Sequence, residues 1–571
     1  MGGQTRPWSA RPFGRLGALA LLLAALVPGL LVPDSEAGRL VTGKRPNVVV
    51  IMTDDQTVES MRVMANVNRT LVRKGTTFAN SFATFPLCCP SRATFLTGQY
   101  SHNHGVVGNS FANGIARLDQ SNTLPVWLQA AGYDTFFVGK YLNEYGRSQP
   151  RAIPRGWTEW YAGLRMTYFD HTMNRRGRIV RYGDDELSYQ SDVYTRTALD
   201  VLRRHARGTK PFFLWLSYFA PHVGTPRDAD DPVGLATTVP APRHRDRFGG
   251  EALPLSPSFG EADASDKPRA IQARSPLGAE DVAPLQEAYQ QRLESLLAVD
   301  EAVAAVVDEL RAQGVLNRTV IVFTSDNGFL MGEHRIRSGK ELLYEPSIRV
   351  PLVVRGPGVP VRRVLEQPVG NIDLAPTIAA LARAKLGRVV DGRSLLPLFA
   401  DPGIEWGRDL LIERGPGAVG IGPRLTTAIR TPRYLYAAHS TGELELYDLE
   451  RDPLELESLH ADGEHTLVQS ELARRLTTLQ DCSGASCRAG PLVSLSVATG
   501  ADCLRTAQVT GPDEAGIEDV ELLVDGAVVG RDQRAPFTPA AIVPGATKLR
   551  ALAVFTDGRR LTLDAPLAPC S

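Results

Sequence analysis

Two acidic pairs stand just after two apolar runs. Asp54-Asp55 follows the run from Pro46 to Met52, and Asp326-Asn327 follows the run from Thr319 to Thr324. Apolar runs with little alternation are what a strand buried on both faces requires. In an open α/β sheet, ligands gather at the carboxyl ends of the strands. If these two strands are neighbours, three carboxylates and one amide oxygen converge. Such an all-oxygen set suits a hard divalent cation, Ca²⁺ or Mg²⁺. Neither pair holds a His or a thiolate, which argues against zinc. The competing reading is two strand-end turns that use Asp as a cap.

The second feature is Cys88-Cys89-Pro90-Ser91-Arg92-Ala93-Thr94-Phe95-Leu96-Thr97-Gly98, a Cys followed by Pro and Arg ahead of a helix-like segment. A group at a helix N-terminus meets free N–H groups and the positive end of the helix dipole, which suits a bound anion. Arg92 adds a fixed charge and a fork for oxyanions. A buried cysteine pair explains the same residues on these arguments. A disulfide between sequence neighbours is strained, so the pair is not read as a cross-link.

The elements that must position these residues alternate. Strand-like runs recur at Tyr133 to Val138, Pro211 to Leu216, Thr319 to Thr324 and Val350 to Val354, with helical patterns at Leu124 to Ala131 and Gln286 to Gln313. The alternation predicts an α/β fold with a mixed, mostly parallel central sheet and helices on both faces. Residues 224–285 are rich in Pro, Asp, Gly and Arg and read as a substrate-facing excursion. From about residue 386 the pattern becomes short antiparallel strands, including Arg433 to Tyr436 and Leu444 to Tyr447, with a helix over Leu467 to Leu479. The last stretch reads as a small β-sandwich: strands at Val520 to Val524, Ala527 to Val529 and Leu549 to Phe555, with turns at Asp525-Gly526 and Asp557-Gly558. The expected segments are 1–37, 38–385, 386–488 and 489–571.

The 571 residues exceed what one core organises. Lys plus Arg and Asp plus Glu both number 63, so no global charge favours nucleic acid or an anionic membrane. Arg6, Arg11 and Arg15, the apolar run Leu16 to Val32 and the small residues of Ser35-Glu36-Ala37 read as a cleaved signal peptide, hence export with no span remaining. Export permits disulfides, and Cys482 with Cys487 and Cys503 with Cys570 is the economical pairing.

Cys88-x-Pro90-Ser91-Arg92-Ala93 with Leu96-Thr97-Gly98 resembles the signature of the type I, formylglycine-dependent sulfatases of the alkaline-phosphatase superfamily. Further motifs resemble that family in order over roughly residues 45–490: Asn47 to Asp55, Gly139-Lys140, Ala220-Pro221-His222, Ser325-Asp326-Asn327-Gly328, Gly339-Lys340 and Glu445 to Pro453. The resemblance implies that a separate formylglycine-generating enzyme oxidises Cys88 to 3-oxoalanine. It implies one Ca²⁺ per active site, held by Asp54, Asp55, Asp326, Asn327 and the modified Cys88. It implies a catalytic set of Cys88, Arg92, Lys140, His222 and Lys340. Arg92 would hold the formylglycine hydroxyl, the lysines would meet sulfate oxygens and His222 would move a proton. One hydroxyl of the hydrated aldehyde attacks sulfur, and the second later loses its proton to expel sulfate.

One position departs from the family. Many relatives have Lys-Trp-His where this chain has Lys140-Tyr141-Leu142, and Asn143 or His104 is the candidate to cover the missing histidine. His334 is a further candidate for the substrate pocket. Local wording (Cys88-Cys89-Pro90-Ser91-Arg92, His102-Asn103-His104, Lys140-Tyr141-Leu142-Asn143 and Ser258 to Asp263) resembles the N-acetylglucosamine-6-sulfatases and heparan 6-O-endosulfatases. That implies a sulfated carbohydrate as substrate. A broad arylsulfatase, a phosphonate or phosphodiester hydrolase of the same superfamily, and a silent carbohydrate-binding protein are the alternatives. The terminal segment resembles bacterial Ig-like modules and is assigned no chemistry.

Overall fold

The computed structural model describes residues 43–229, 231–404, 406–415, 426–488, 490, 493–499, 505–511, 516–538, 541–542, 548–556 and 559–566. The signal-peptide segment, the Cys503–Cys570 pairing and the Asp557-Gly558 turn lie outside these residues. Among the described residues no helix is long and apolar enough to cross a membrane.

The central sheet has ten strands. In chain order they are β1 (Asn47–Thr53), β2 (Thr76–Phe78), β3 (Asp134–Gly139), β4 (Glu159–Arg165), β5 (Thr172–Arg175), β6 (Arg178–Arg181), β7 (Phe212–Ser217), β8 (Thr319–Ser325), β9 (Leu352–Arg355) and β10 (Arg363–Leu365). Across the sheet the order is β10-β2-β9-β8-β1-β7-β3-β4-β5-β6. The consecutive strands β8-β1-β7-β3-β4 run parallel. The Val350 to Val354 run becomes β9, which is antiparallel to both its neighbours.

Both faces of β1 are covered, which is why its sequence does not alternate. Val48, Val50 and Met52 pack with Phe95 and Leu96 of α1 (Cys88–Thr97), Trp127 and Leu128 of α2 (Leu124–Ala130) and Ile378 and Leu381 of α5 (Leu374–Ala382). Val49 and Ile51 pack with Val193 and Leu202 of α3 (Gln190–His205) and Leu296 and Val303 of α4 (Ala279–Ala312). Each such side chain contributes roughly 1.5–3 kcal/mol by leaving water. α4 starts before the expected Gln286, with Pro284 inside it. Its entry is fixed by the Asp281 carboxylate, which accepts the Gly278 N–H at 3.1 Å.

The 224–285 excursion forms only short helical turns before α4. Its chain is pinned across the carboxyl edge of the sheet: Thr238 Oγ1 donates to the His222 carbonyl at 2.9 Å, and the Phe248 N–H donates to Glu294 at 3.0 Å. Leu253, Pro254, Ser256 and Ser258 line a cavity of about 380 Å³ opposite Pro221, Arg292 and Phe329.

A second, antiparallel sheet follows, with β11 (Leu410–Arg414), β12 (Thr426–Arg430), β13 (Tyr434–Ala438) and β14 (Leu444–Asp448) side by side in chain order. Strand alternation divides its two faces. Leu411, Ile429 and Leu446 meet Leu472, Leu476 and Leu479 of α6 (Thr466–Gln480), while Leu410, Ala428 and Leu435 meet Phe82 and Ile348 of the main body. Cys482 and Cys487 form the expected disulfide.

Two small sheets close the chain. One contains β15 (Ser494–Thr499), β16 (Arg505–Thr510) and β19 (Ala541–Ile542). The other has the order β18-β17-β20-β21, from β17 (Ile517–Val524), β18 (Ala527–Asp532), β20 (Lys548–Phe555) and β21 (Arg560–Pro566). Ala507 and Val509 of the first share a core with Val520, Leu522, Leu549 and Ala551 of the second, the layering of a sandwich.

His102 latches the main body to the second sheet. Its Nδ1 lies 2.9 Å from Glu413 of β11, and its Nε2 lies 2.9 Å from the Cys482 carbonyl. Burial alone would lower its pKa, but the Glu413 carboxylate, the Cys482 carbonyl and Asp391 outweigh burial and lift it to about 9. A raised pKa contributes stability that is full below the unfolded value near 6.5 and is lost as pH rises through about 9. His102→Gln is therefore expected to lower the melting temperature most at pH 6, with the gap to the parent closing by pH 10. Thermal melts across that range check this, and an unchanging gap counts against the ion pair.

Candidate active site

Register brings the strand ends level. Thr53 of β1 pairs with Ser325 of β8, Met52 pairs with Ser217 of β7, and Ser217 pairs with Gly139 of β3. The residues after these ends (Asp54-Asp55, Asp326-Asn327, Ala220-Pro221-His222 and Lys140) therefore emerge on one edge. Gly139 has φ 122°, and a Cβ there would lie 1.8 Å from the Ser217 carbonyl oxygen. Only glycine lets β3 finish against β7 and deliver Lys140 to this edge.

α1 sets Cys88 at its first position, fully buried. Cys88 Sγ lies 3.4 Å from Asp54 Oδ1 and receives a hydrogen bond from Lys340 Nζ at 2.8 Å. Donor atoms of Asp54, Asp55, Cys88 and His222 all lie within 4.8 Å of one another. Lys140 pairs with Asp54, and Lys340 pairs with Asp55. His222 Nε2 is 3.7 Å from Asp55 Oδ2, while its Nδ1 faces the Val223 carbonyl at 2.6 Å.

Arg92 has no exposed surface. Its Nε donates to Asp326 Oδ2 at 2.7 Å, one Nη donates to the Lys140 carbonyl and to Ser217 Oγ, both at 2.7 Å, and the other reaches Asp54 Oδ2 at 3.4 Å. One guanidinium thus ties together the ends of β8, β3, β7 and β1. The sequence expectation had it holding the formylglycine hydroxyl. In the structure its fork is engaged by carboxylates, a carbonyl and a hydroxyl.

Asn327 has a buried amide oxygen left without a partner among the described residues. Its Nδ2 donates to Asp55 Oδ1 at 2.7 Å and to the Gly328 carbonyl at 2.9 Å, which fixes the amide orientation. The remaining Oδ1 is buried and has no hydrogen-bond partner among the described residues. A buried amide oxygen is ordinarily satisfied. Together with the carboxylates of Asp54, Asp55 and Asp326 at the same strand ends, it makes a set of oxygen donors of the kind Ca²⁺ takes.

Burial raises the carboxyl pKa of Asp54, but Lys140, His222 and Arg92 outweigh it and hold the group below its usual range. The same balance, with Lys340 and His222 opposing burial, puts Asp55 at about 2. Both stay ionised, the state in which a carboxylate can bind a metal. Burial, then Asp54, pushes the Cys88 thiol up to about 12. As a thiol it is not an ionised nucleophile at neutral pH.

A cavity of about 540 Å³ opens beside the site, lined by Lys140, Tyr141, Leu142, Asn143, Arg147, Met166, Phe219 and His222. Asn143 thus stands within reach of a bound molecule. Leu142, where many relatives have histidine, is 3% exposed and belongs to the core. Two expected pocket residues sit elsewhere. His104 Nε2 faces Thr94 Oγ1 at 3.0 Å, and its Nδ1 accepts the Val106 N–H at 3.1 Å. Burial, with Arg388 and His102, lowers its pKa to about 3, so it is a neutral strut behind α1. His334 is 1% exposed, stacks on Tyr344 at 4.1 Å and bonds Glu261 through Nδ1 at 2.8 Å. It joins the loop before Lys340 to the excursion.

Sequence reasoning missed Arg292 and Ser217, and it gave Ser325 no role of its own within its motif. Arg292 of α4 donates to the carbonyls of Asp55 and Pro221. Ser325 Oγ accepts the Gln56 N–H at 2.9 Å. The serines could have been found as the polar residues closing two buried strands. Arg292 bonds only backbone, which leaves no local pattern.

A family model described as Sulfatase matches residues 46–384, and another, N-sulphoglucosamine sulphohydrolase, C-terminal, matches residues 332–482. The chain is 32% identical over 514 residues to the N-acetylglucosamine-6-sulfatase of Homo sapiens, covering 82% of this chain and 90% of that protein. It is 32% identical over 499 residues to the arylsulfatase of Volvox carteri, covering 78% and 76%. A solved protein in complex with its substrate D-glucosamine-2-N,6-O-disulfate superposes with a TM-score of 0.65 at 24% identity, covering 76% of this chain and 98% of that one. That last likeness is one of fold.

Proposed function

This chain belongs to the sulfatase family and is a sulfuric ester hydrolase, and from that premise we propose that formylglycine derived from Cys88, beside one Ca²⁺, removes 6-O-sulfate from N-acetylglucosamine-type sugars or glycosaminoglycan fragments. The observation that carries the metal reading is the gathering of donor atoms of Asp54, Asp55 and Cys88 within 4.8 Å of one another, with Asn327 Oδ1 buried and unpartnered among the described residues. Asp54, Asp55, Asp326 and Asn327, with a hydroxyl of modified Cys88, would hold the ion. When bound, Ca²⁺ supplies Lewis acidity at the nucleophile and at a sulfate oxygen. Lys140 and Lys340 lie against these carboxylates and present fixed positive charge to sulfate oxygens, which is where charge develops during displacement. His222, its Nδ1–H turned to a carbonyl and its pKa lowered chiefly by burial, offers an unprotonated Nε2 to accept the proton of a formylglycine hydroxyl, and Lys340 is the group for the departing sugar oxygen. Arg92 holds Asp54 and Asp326 in place. Asn143 contacts the sugar in the cavity beside Lys140.

Mass spectrometry of the peptide spanning Phe85 to Arg92 tests the nucleophile. It is expected to carry an aldehyde, with sulfur and two hydrogens exchanged for one oxygen, after co-expression with a formylglycine-generating enzyme. An active enzyme with an intact Cys88 thiol would sink this assignment. For substrate, sulfate release from N-acetylglucosamine 6-sulfate is set against an aryl sulfate and an aryl phosphodiester, and the sugar is expected to give the highest kcat/KM. The similarity to an arylsulfatase favours one second reading, a broad aryl specificity.

The Cys482–Cys487 disulfide supports an oxidising, extracellular destination. The proposed organisation keeps a signal peptide over 1–37, a catalytic domain over 38–385, an α+β subdomain over 386–488 and an Ig-like sandwich over 489–571.

A further inference from the structure

Arg292 is 5% exposed on α4, yet no carboxylate pairs with it among the described residues. Its guanidinium lies 4.1 Å over the Phe329 ring. One Nη donates to the Pro221 carbonyl at 3.0 Å, and the other donates to the Asp55 carbonyl. Burying a guanidinium with no carboxylate in direct contact, and only Asp55 and Asp54 acting on it from farther away, is costly, so two carbonyls and a ring face must be worth holding this way.

Those two carbonyls belong to the peptides that aim two reacting groups. Asp55 has φ 67°, a left-handed conformation that a non-glycine residue keeps only when its surroundings impose it. Its N–H is held by Asp326 Oδ1 at 3.2 Å, and the next N–H, on Gln56, is held by Ser325 Oγ at 2.9 Å. Arg292 holds the oxygen between them and completes the restraint. The second peptide precedes His222. The His222 N–H bonds the Phe219 carbonyl at 2.9 Å, and Arg292 holds the oxygen of the same peptide. Tyr168 and Thr238 hydroxyls fix the next carbonyl at 2.8 and 2.9 Å. A single planar fork therefore spans the two loops whose side chains, Asp55 and His222, stand 3.7 Å apart.

We infer that Arg292, braced on Phe329, is a positioning residue for this hydrolysis: it sets the Asp55 carboxylate and the His222 imidazole in register with each other. The inference rests on the reading of Asp55 as a cation ligand. A lysine keeps the charge but lacks the fork and can hold only one carbonyl well. A core cation serving the fold alone would change melting temperature and leave turnover and metal affinity where they were.

The test uses full-length, matured enzyme stripped with a chelator and titrated with Ca²⁺. Arg292→Lys is expected to lower kcat about 10- to 100-fold and raise the Ca²⁺ midpoint about tenfold, read by thermal stabilisation as well as by activity. KM should stay within about twofold, because no contact to substrate is lost. A folded Arg292→Lys enzyme with kcat and Ca²⁺ midpoint both within about twofold of the parent overturns the inference. Should Arg292→Lys not fold, Phe329→Leu removes the brace and leaves the fork. A several-fold rise in its Ca²⁺ midpoint supports the inference, and an unchanged one overturns it. A parent enzyme that gains neither stability nor activity from Ca²⁺ defeats the calcium reading instead, and Arg292 is then judged on kcat alone.

Discussion

Cys88→Ala is expected to abolish turnover, with kcat falling by on the order of 10⁴-fold or more, the scale of removing a covalent nucleophile. The side chain has no exposed surface and loses only a sulfur atom, so the fold should survive the change. The remaining machinery (Lys140, Lys340, His222 and the carboxylates) can still bind and polarise an ester but has no group to attack it. Cys88→Ser sharpens the point. A serine has one hydroxyl where the proposed hydrated aldehyde has two, so it can accept the sulfuryl group but lacks the second hydroxyl that would expel it. The serine variant should become sulfated and stop. Steady-state rates on an aryl sulfate and the intact mass of the serine variant after substrate exposure check both. Residual turnover in the alanine variant near that of the parent would falsify the assignment of Cys88.

Arg92→Met is expected to give the largest combined loss of stability and activity. The guanidinium meets the ends of four strands, and its partners Asp54 and Asp326 are fully or almost fully buried. Removing one partner of a buried ionic cluster strands the others, at a cost of about 3–5 kcal/mol. Turnover should fall by roughly 10²- to 10³-fold because two carboxylates of the proposed cation site lose their alignment. Arg92→Lys should fall between the two, since it keeps charge but cannot span four strand ends. Denaturant unfolding and kcat measured on the same preparations test this. A methionine variant less than about 0.5 kcal/mol from the parent would mean that the cluster is not what holds these strand ends together.

The strand ends were legible because burial on both faces leaves a run such as Val48 to Met52 without alternation, and the first polar residue after it marks the edge. Direction was not legible. Val350 to Val354 looks like its parallel neighbours, and only the pairing of Val353 with Phe323 shows β9 running the other way. The start of α4 was hidden by Pro284, which reads as a break, while the Asp281 carboxylate that fixes the true start is unremarkable in sequence. Residue type also says little about how a side chain is spent. His222 reaches Asp55 and the cavity, whereas His104 and His334 have both character and position yet are consumed by Thr94 and Glu261. Their partners lie 10 and 73 residues away in the chain, and no spacing rule separates a strut from a proton carrier.

The burial of Cys88 has a consequence for the order of events in the life of the chain. The atoms that enclose its sulfur come from both sides of a long stretch of sequence, with Asp54 before it and Lys340 some 252 residues after it. Once that later segment closes, no external oxidising catalyst can reach the side chain. The maturation proposed for Cys88 would therefore act on the nascent or still-open polypeptide, in the interval after residue 88 emerges and before residue 340 has docked. A mutation that hastened folding could, by shortening that interval, yield a well-packed protein that is chemically immature.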